Sequence, residues 1–303
     1  MKPPSVLPLL LNVLFLWPTC LIAEVKHYKA DICVYGGTAS GVMAALAAHQ
    51  EGSTVILVEP TRWLGGMTGG GINHLDWGKG ETVGGSTYKI LMDGLKDQKR
   101  AHGGHAKHGI GNKQYRERFK KLVKDRGITV IYDHRVGKVQ VGDEIINKPT
   151  REEPIALGEK IVSKNKNNSI RSIILDYAPV DETGCPIPEP KKRNVITVSA
   201  KVFIDCSYEG DILGMSGVRY TWGRESREHY DESLAGVRPS LWIHDIDPYV
   251  EPGNPKSGLI PFIQDRKIGP LGSADSLSMG YCFRYEFDMS GQGIPIPEST
   301  NYD

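Results

Sequence analysis

Cysteine is scarce in this chain: five in 303 residues, widely spread, with no Cys-x-x-Cys pair. That spacing excludes a disulfide-framed small domain and a thiolate zinc site. An excess of charge is missing too, since 37 Lys and Arg offset 36 Asp and Glu. A net charge of +1 leaves no electrostatic footprint for a polyanion, so no nucleic-acid partner is expected. The basic stretches, Lys107 to Lys124 and Lys191-Lys192-Arg193, read as solvated faces and loops. No Gly-x-Ser-x-Gly, P-loop or His-Glu-x-x-His occurs, which leaves hydrolase and NTPase chemistry without a starting point. His102, His105 and His108 have suggestive spacing, but they sit in a Gly-rich stretch without Cys or a nearby carboxylate. No metal is expected there. Repeats and low-complexity tracts are absent as well.

What is present begins with a leader. Met1-Lys2 is positive, Val6 to Trp17 is apolar apart from Pro8 and Asn12, and small or turn-prone residues run to Ala23. This is the layout of a secretory signal peptide over residues 1–23, too short for a comfortable span. The expectation is a secreted or periplasmic protein with no stable membrane insertion after cleavage; the alternative is an uncleaved N-terminal anchor. Cys33, Cys185, Cys206 and Cys282 then remain, and the sequence names no pair. Cys33 and Cys206 fall in apolar strand-like runs, as small core residues do. The sequon Asn167-Asn168-Ser169 would carry a glycan only in a host that glycosylates.

Ala30 to Tyr35 predicts a strand, Ser40 to Gln50 an Ala-rich helix stopped at Gly52, and Thr54 to Val58 a buried strand. Strand, glycine turn, helix, strand is a βαβ unit. Helices are expected near Ser86–Ala101 and Lys113–Arg126, and strands at Ile128–Tyr132 and Val136–Val141. Short β-runs between Ile155 and Val198 suggest an antiparallel meander. Lys201 to Asp205 predicts a returning buried strand, and Glu209 to Ser216 a short helix. Beyond Trp222 periodicity is poor.

The turn Gly36-Gly37-Thr38-Ala39-Ser40-Gly41 follows a strand and opens a helix, where a dinucleotide diphosphate needs backbone amides and the positive helix end. Thr38 stands where the fingerprint wants its second glycine, so a phosphate must tolerate its β-carbon or use its hydroxyl. Glu59 ends the second strand, 18 residues after Gly41, where an acid accepts hydrogen bonds from an adenosine ribose and disfavours a 2′-phosphate. Arg62-Trp63-Leu64-Gly65-Gly66 continues from Glu59-Pro60.

With this segment, the sequence resembles the FAD-binding superfamily of glutathione reductase, amine oxidases and fumarate reductase flavoproteins. There an Arg-x-x-Gly-Gly motif lines the pyrophosphate and ribityl region, which separates FAD from NAD. The resemblance implies cofactor contacts from Pro60, Arg62, Gly65, Gly66, Met67 and Thr68, and from the backbone of Val136 to the adenine. Lys201 to Asp211 looks like the returning strand, with Cys206 and Ser207 where Ala and Thr are usual, and with Asp211 near the dinucleotide. Tyr35 to Thr38, Leu64 to Thr68, His74 to Gly78, Tyr208 to Asp211 and Tyr220 to Ser226 narrow the likeness. They resemble a mainly bacterial group of FAD-dependent oxidoreductases, many of them exported and some labelled xanthan lyase.

The likeness implies an α/β protein whose Rossmann-like FAD-binding domain has a parallel sheet and an inserted antiparallel β-meander, with a partial second, substrate domain. The expected limits are 28–220 for the FAD domain, its crossover at about 136–198, and 221–303 for the start of the substrate region. Family members run longer, so the chain reads as truncated before the segment that covers the flavin ring. The expected partners are a small-molecule substrate and an electron acceptor. His74 and Asp76 are candidates for proton transfer and Arg224 for substrate binding; the alternative for Arg224 is an internal ion pair. Rival readings are a non-catalytic nucleotide-binding remnant and a polysaccharide lyase-associated protein.

Overall fold

The computed structural model describes residues 25–70, 112–148, 169–182, 184–218, 220, 223–238, 247–261, 263 and 268–277. The expected helix at Ser86–Ala101 lies outside them. The first unit has the order read from the sequence, with its first strand starting at Lys26 rather than Ala30: β1 (Lys26–Tyr35), α1 (Ala39–Gln50) and β2 (Val55–Glu59). A short α2 (Gly66–Gly70) and α3 (Asn112–Asp125) precede β3 (Thr129–Tyr132). The chain then runs through β4 (His134–Val141), β5 (Glu144–Asn147), β6 (Ile170–Tyr177), β7 (Lys192–Asp205) and α4 (Asp211–Met215). Last come α5 (Arg227–Tyr230) and a 3₁₀ turn, Pro255–Ser257.

The described strands form one seven-stranded sheet in the order β3-β2-β1-β7-β6-β4-β5. β3, β2, β1 and β7 are mutually parallel, and β7, β6, β4 and β5 are antiparallel. β7 joins the halves: its early residues pair with β6 and its later ones, from Ile196 to Asp205, with β1.

Side-chain alternation sends Val34, Val55 and Leu57 to a face covered by α1 and α3, against Val42, Ala45, Phe119 and Val123. Cys33, Tyr35, Ile56 and Val58 point to the other face, which the meander covers with Val136, Val139, Ile173 and Leu175. Because both faces are covered, β1 and β2 carry unbroken apolar runs, Ile32 to Tyr35 and Val55 to Val58. This is the mixed, Rossmann-like α/β architecture expected.

Two further details differ from the sequence reading. The returning strand begins at Lys192 rather than Lys201, and its second half is not buried: Val202 is 50% exposed. β5 went unpredicted, although Gly142-Asp143 is a two-residue hairpin signal and Gly142 has φ +58°. Cys33, Cys185 and Cys206 are free thiols, and burial pushes the Cys33 thiol up to about 12. Among the described residues no cluster could hold a metal, and no helix is long and apolar enough to cross a membrane.

The layering sets a stability contrast. Leu175→Ala removes a side chain fully buried between sheet and meander, and a loss of about 2–5 kcal/mol is expected. Val202→Ala should change stability by less than ~0.5 kcal/mol. Denaturant unfolding of both variants checks the order.

Candidate functional site

The C-terminal ends of β1, β2 and β7 meet where the sheet connections diverge, the position at which open α/β sheets take ligands. β1 stops at Gly36, whose φ is +90° and whose missing β-carbon would lie 2.6 Å from the Ser207 amide nitrogen. The Gly36 amide donates to the Val58 carbonyl at 2.8 Å, and the Cys206 amide to the Tyr35 carbonyl at 2.7 Å. Gly41 brings α1 down on the turn: a β-carbon there would lie 1.9 Å from the Gly36 carbonyl oxygen. Only glycine permits both approaches.

Thr38 caps α1. Its hydroxyl accepts from the Gly41 amide at 3.2 Å and donates to the Cys206 carbonyl at 2.9 Å. With its one proton given away, it accepts from Ser40 Oγ at 2.9 Å. The hydroxyl is therefore committed to the protein, and of the two routes for a phosphate past Thr38 the hydroxyl route is closed. The amides of Ala39 and Ser40, in the first turn of α1, have no acceptor within the helix. Ala39 is half-buried, Ser40 is exposed, and the first turn contains no acid. Backbone donors and a positive helix end thus face a cradle lined by glycine, which fits a diphosphate.

Glu59 lies beneath this turn, only 6% exposed. One carboxylate oxygen accepts from the Gly37 amide at 2.7 Å. The other accepts from the Thr61 amide at 2.7 Å and the Thr61 hydroxyl at 2.6 Å. Burial pushes its pKa above the ordinary 4.5, against the pull of these Thr61 and Gly37 bonds. An ionised carboxylate has about four acceptor positions, so these three bonds orient it and leave one position, on the oxygen that holds Gly37, for a sugar hydroxyl.

Beyond Pro60 the chain turns back. The Gly65 amide donates to the Gly37 carbonyl at 2.7 Å. Gly66 and Met67 open α2 beside Thr38, with Thr68 half-buried after them. Gly36 to Gly41, Glu59, Gly65, Gly66, Met67, Cys206 and Ser207 are thereby brought together.

Four expected site residues have a polar group committed within the protein. Arg62 donates from Nη2 to the Val180 carbonyl at 3.0 Å. Arg62 and Arg116 lie 5.8 and 5.6 Å from the Trp63 ring centroid, so Arg62 braces the crossover rather than lining the turn. Val136 is wholly buried and its amide donates to Tyr35 Oη at 3.1 Å, which commits the N–H half of its backbone to the protein. Tyr35 Oη in turn donates to Asp211 Oδ2 at 3.0 Å, and Lys148 Nζ lies 2.6 Å from Asp211 Oδ1. The Asp211 carboxylate is thus spent on the meander face, and burial raises the Tyr35 phenol well above its usual value. Arg224 forms a two-pronged ion pair with Asp275, across a backbone bridge between the same two residues. It is the internal brace rather than a substrate arm. His74 and Asp76 lie outside the described residues.

Sequence reasoning missed Asp205. Its carboxylate accepts from the Ser207 amide and hydroxyl at 3.0 and 2.7 Å, and from the Ile212 and Leu213 amides at 2.8 and 2.9 Å. It fixes the loop against which Gly36 packs. An acid at a strand end with Ser two residues on was the available signal.

The family model described as FAD dependent oxidoreductase matches residues 31–156 and 187–297. Similar solved structures include the open conformation of a flavocytochrome c3 fumarate reductase, 18% identical over 59% of this chain and 33% of that one, TM-score 0.31. A 3-ketosteroid-Δ4-(5α)-dehydrogenase from Rhodococcus jostii RHA1 is 14% identical over 61% of this chain and 47% of that one, TM-score 0.33. A geranylgeranyl bacteriochlorophyll reductase-like protein from Thermoplasma acidophilum is 14% identical over 64% and 43%, TM-score 0.36. The matched region spans between a third and a half of these structures. No curated protein sequence matches the chain. The glycine cradle and its buried acid agree with a family match that covers most of the sequence: the chain belongs to the FAD dependent oxidoreductase family, and its cofactor is FAD.

Proposed function

We propose that this chain holds the adenosine diphosphate half of FAD on the turn at residues 36–41 and serves oxidation of an organic substrate. The observation that carries the reading is the meeting of unpaired first-turn amides with the buried Glu59 carboxylate at the ends of β1 and β2. Bound FAD supplies hydride acceptance at its isoalloxazine ring, and the protein supplies position and electrostatics. The amides of Ala39 and Ser40 would take the diphosphate, and Glu59 a ribose hydroxyl. Cys206 and Ser207 would wall the cradle through their backbone.

Residues 28–220 form the cofactor domain in this reading, and 221–303 begin the substrate region. A small-molecule substrate and a separate electron acceptor are its partners, with export directed by residues 1–23. His74 and Asp76 are the candidates for moving a proton between substrate and solvent.

The purified full chain should copurify with flavin or take it up in a titration followed by visible absorbance and flavin fluorescence. Protein that is folded yet binds no FAD contradicts the proposal. Losing a charged hydrogen bond of about 1.5–3 kcal/mol, Glu59→Gln should weaken FAD binding about tenfold or more. The ionised acid is the form that accepts from ribose, and burial holds its pKa above 4.5. Acidification should therefore begin to weaken wild-type binding above pH 4.5, whereas Glu59→Gln loses that dependence. Parallel pH curves for the two proteins would refute the role of Glu59.

A further inference from the structure

Tyr35 and Tyr208 both bring a hydroxyl near the turn, and the two are used differently. Tyr35 is wholly buried and both accepts and donates, so its hydroxyl is finished structurally. Tyr208, in the loop after β7, is 54% exposed. Its Oη accepts from the Met67 amide at 2.8 Å, a partner 141 positions away along the chain. Met67 is in the first turn of α2, where an amide has no acceptor within the helix, so the bond satisfies a real need.

The approach depends on Gly66. A β-carbon there would lie 2.3 Å from Tyr208 Oη and 3.2 Å from Thr38 Cα. The hydroxyl and the turn therefore stand on either side of one absent carbon, so that Tyr208 borders the turn near Thr38 whereas Glu59 borders it at Gly37. A phenol that accepts one bond still has a proton to give. Among the described residues Tyr208 donates to none. Its proton is thus available at the mouth of a site built for an oxygen-rich ligand.

We propose that Tyr208 is a cofactor-binding residue that donates this proton to an oxygen of the dinucleotide, with the bond from Met67 holding its hydroxyl in place. The proposal rests on the FAD reading of the turn and adds a contact on the flavin side of the adenosine. The test titrates the full chain and Tyr208→Phe with FAD and with AMP, and compares their unliganded melting temperatures. Loss of one neutral hydrogen bond should weaken FAD binding about fivefold and AMP binding less than about twofold. Melting should shift by no more than about 2 °C, since a half-exposed residue away from the core is altered. Equal FAD affinity in the two proteins overturns the proposal, and so does tighter binding by Tyr208→Phe, which would make the hydroxyl an obstruction. Equal losses for FAD and AMP with a lowered melting temperature also overturn it, because Tyr208 would then be only a latch between loops. Wild-type protein that binds neither nucleotide removes the FAD reading and this contact with it; the other adverse outcomes leave that reading standing.

Discussion

The site depends on backbone meeting backbone where two β-carbons are missing. At Gly36 the end of β1 comes within reach of the Ser207 amide, and at Gly41 the first turn of α1 lies on the Gly36 carbonyl. Any side chain at either position would push apart β1, β7 and α1. The helix amides would then no longer point over the strand ends, and Glu59 could not hold the Gly37 amide from below. The charged and polar groups around the turn act on that arrangement rather than create it. Thr38 ties α1 to the returning strand, and Asp205 ties the returning strand to α4. A rigid cradle of this kind spends little of its binding energy on ordering itself.

The two faces of the sheet divide the labour. Helices cover one face and brace the cradle from the side of Phe119 and Leu64. The meander covers the other, and there the hydrogen bonds among Tyr35, Val136 and Asp211 fasten it to the last residue before the turn. A fully buried phenol with both hydrogen-bonding functions met is an inexpensive way to lock two layers, whereas an unmet one would cost about 1–3 kcal/mol.

Those layers explain what could be read in the sequence. Strands covered on both faces are apolar throughout, and an Ala-rich helix between glycines has a local signature, so β1, α1 and β2 were legible. Glu59 was legible because its distance from the turn is set by the length of α1. The partners of Tyr35, Arg62, Val136, Asp211 and Arg224 were not, although an ion pair was open for Arg224. Their partners lie 176, 118, 101 and 51 positions away, and no local pattern reports a bond of that reach. Arg62 sits in the expected motif, yet the crossover carbonyl at Val180 claims its guanidinium. The exposure of the returning strand's second half was missed for a related reason, because apolar composition in Val202 and Phe203 does not say which face finds a neighbour.

The most direct measurement is a crystal structure of the full chain with FAD bound. The account predicts diphosphate oxygens against the amides of Ala39 and Ser40, with the adenosine ribose on the Glu59 carboxylate. A dinucleotide bound elsewhere, with this turn in its present form and Glu59 still holding only Gly37 and Thr61, would contradict it.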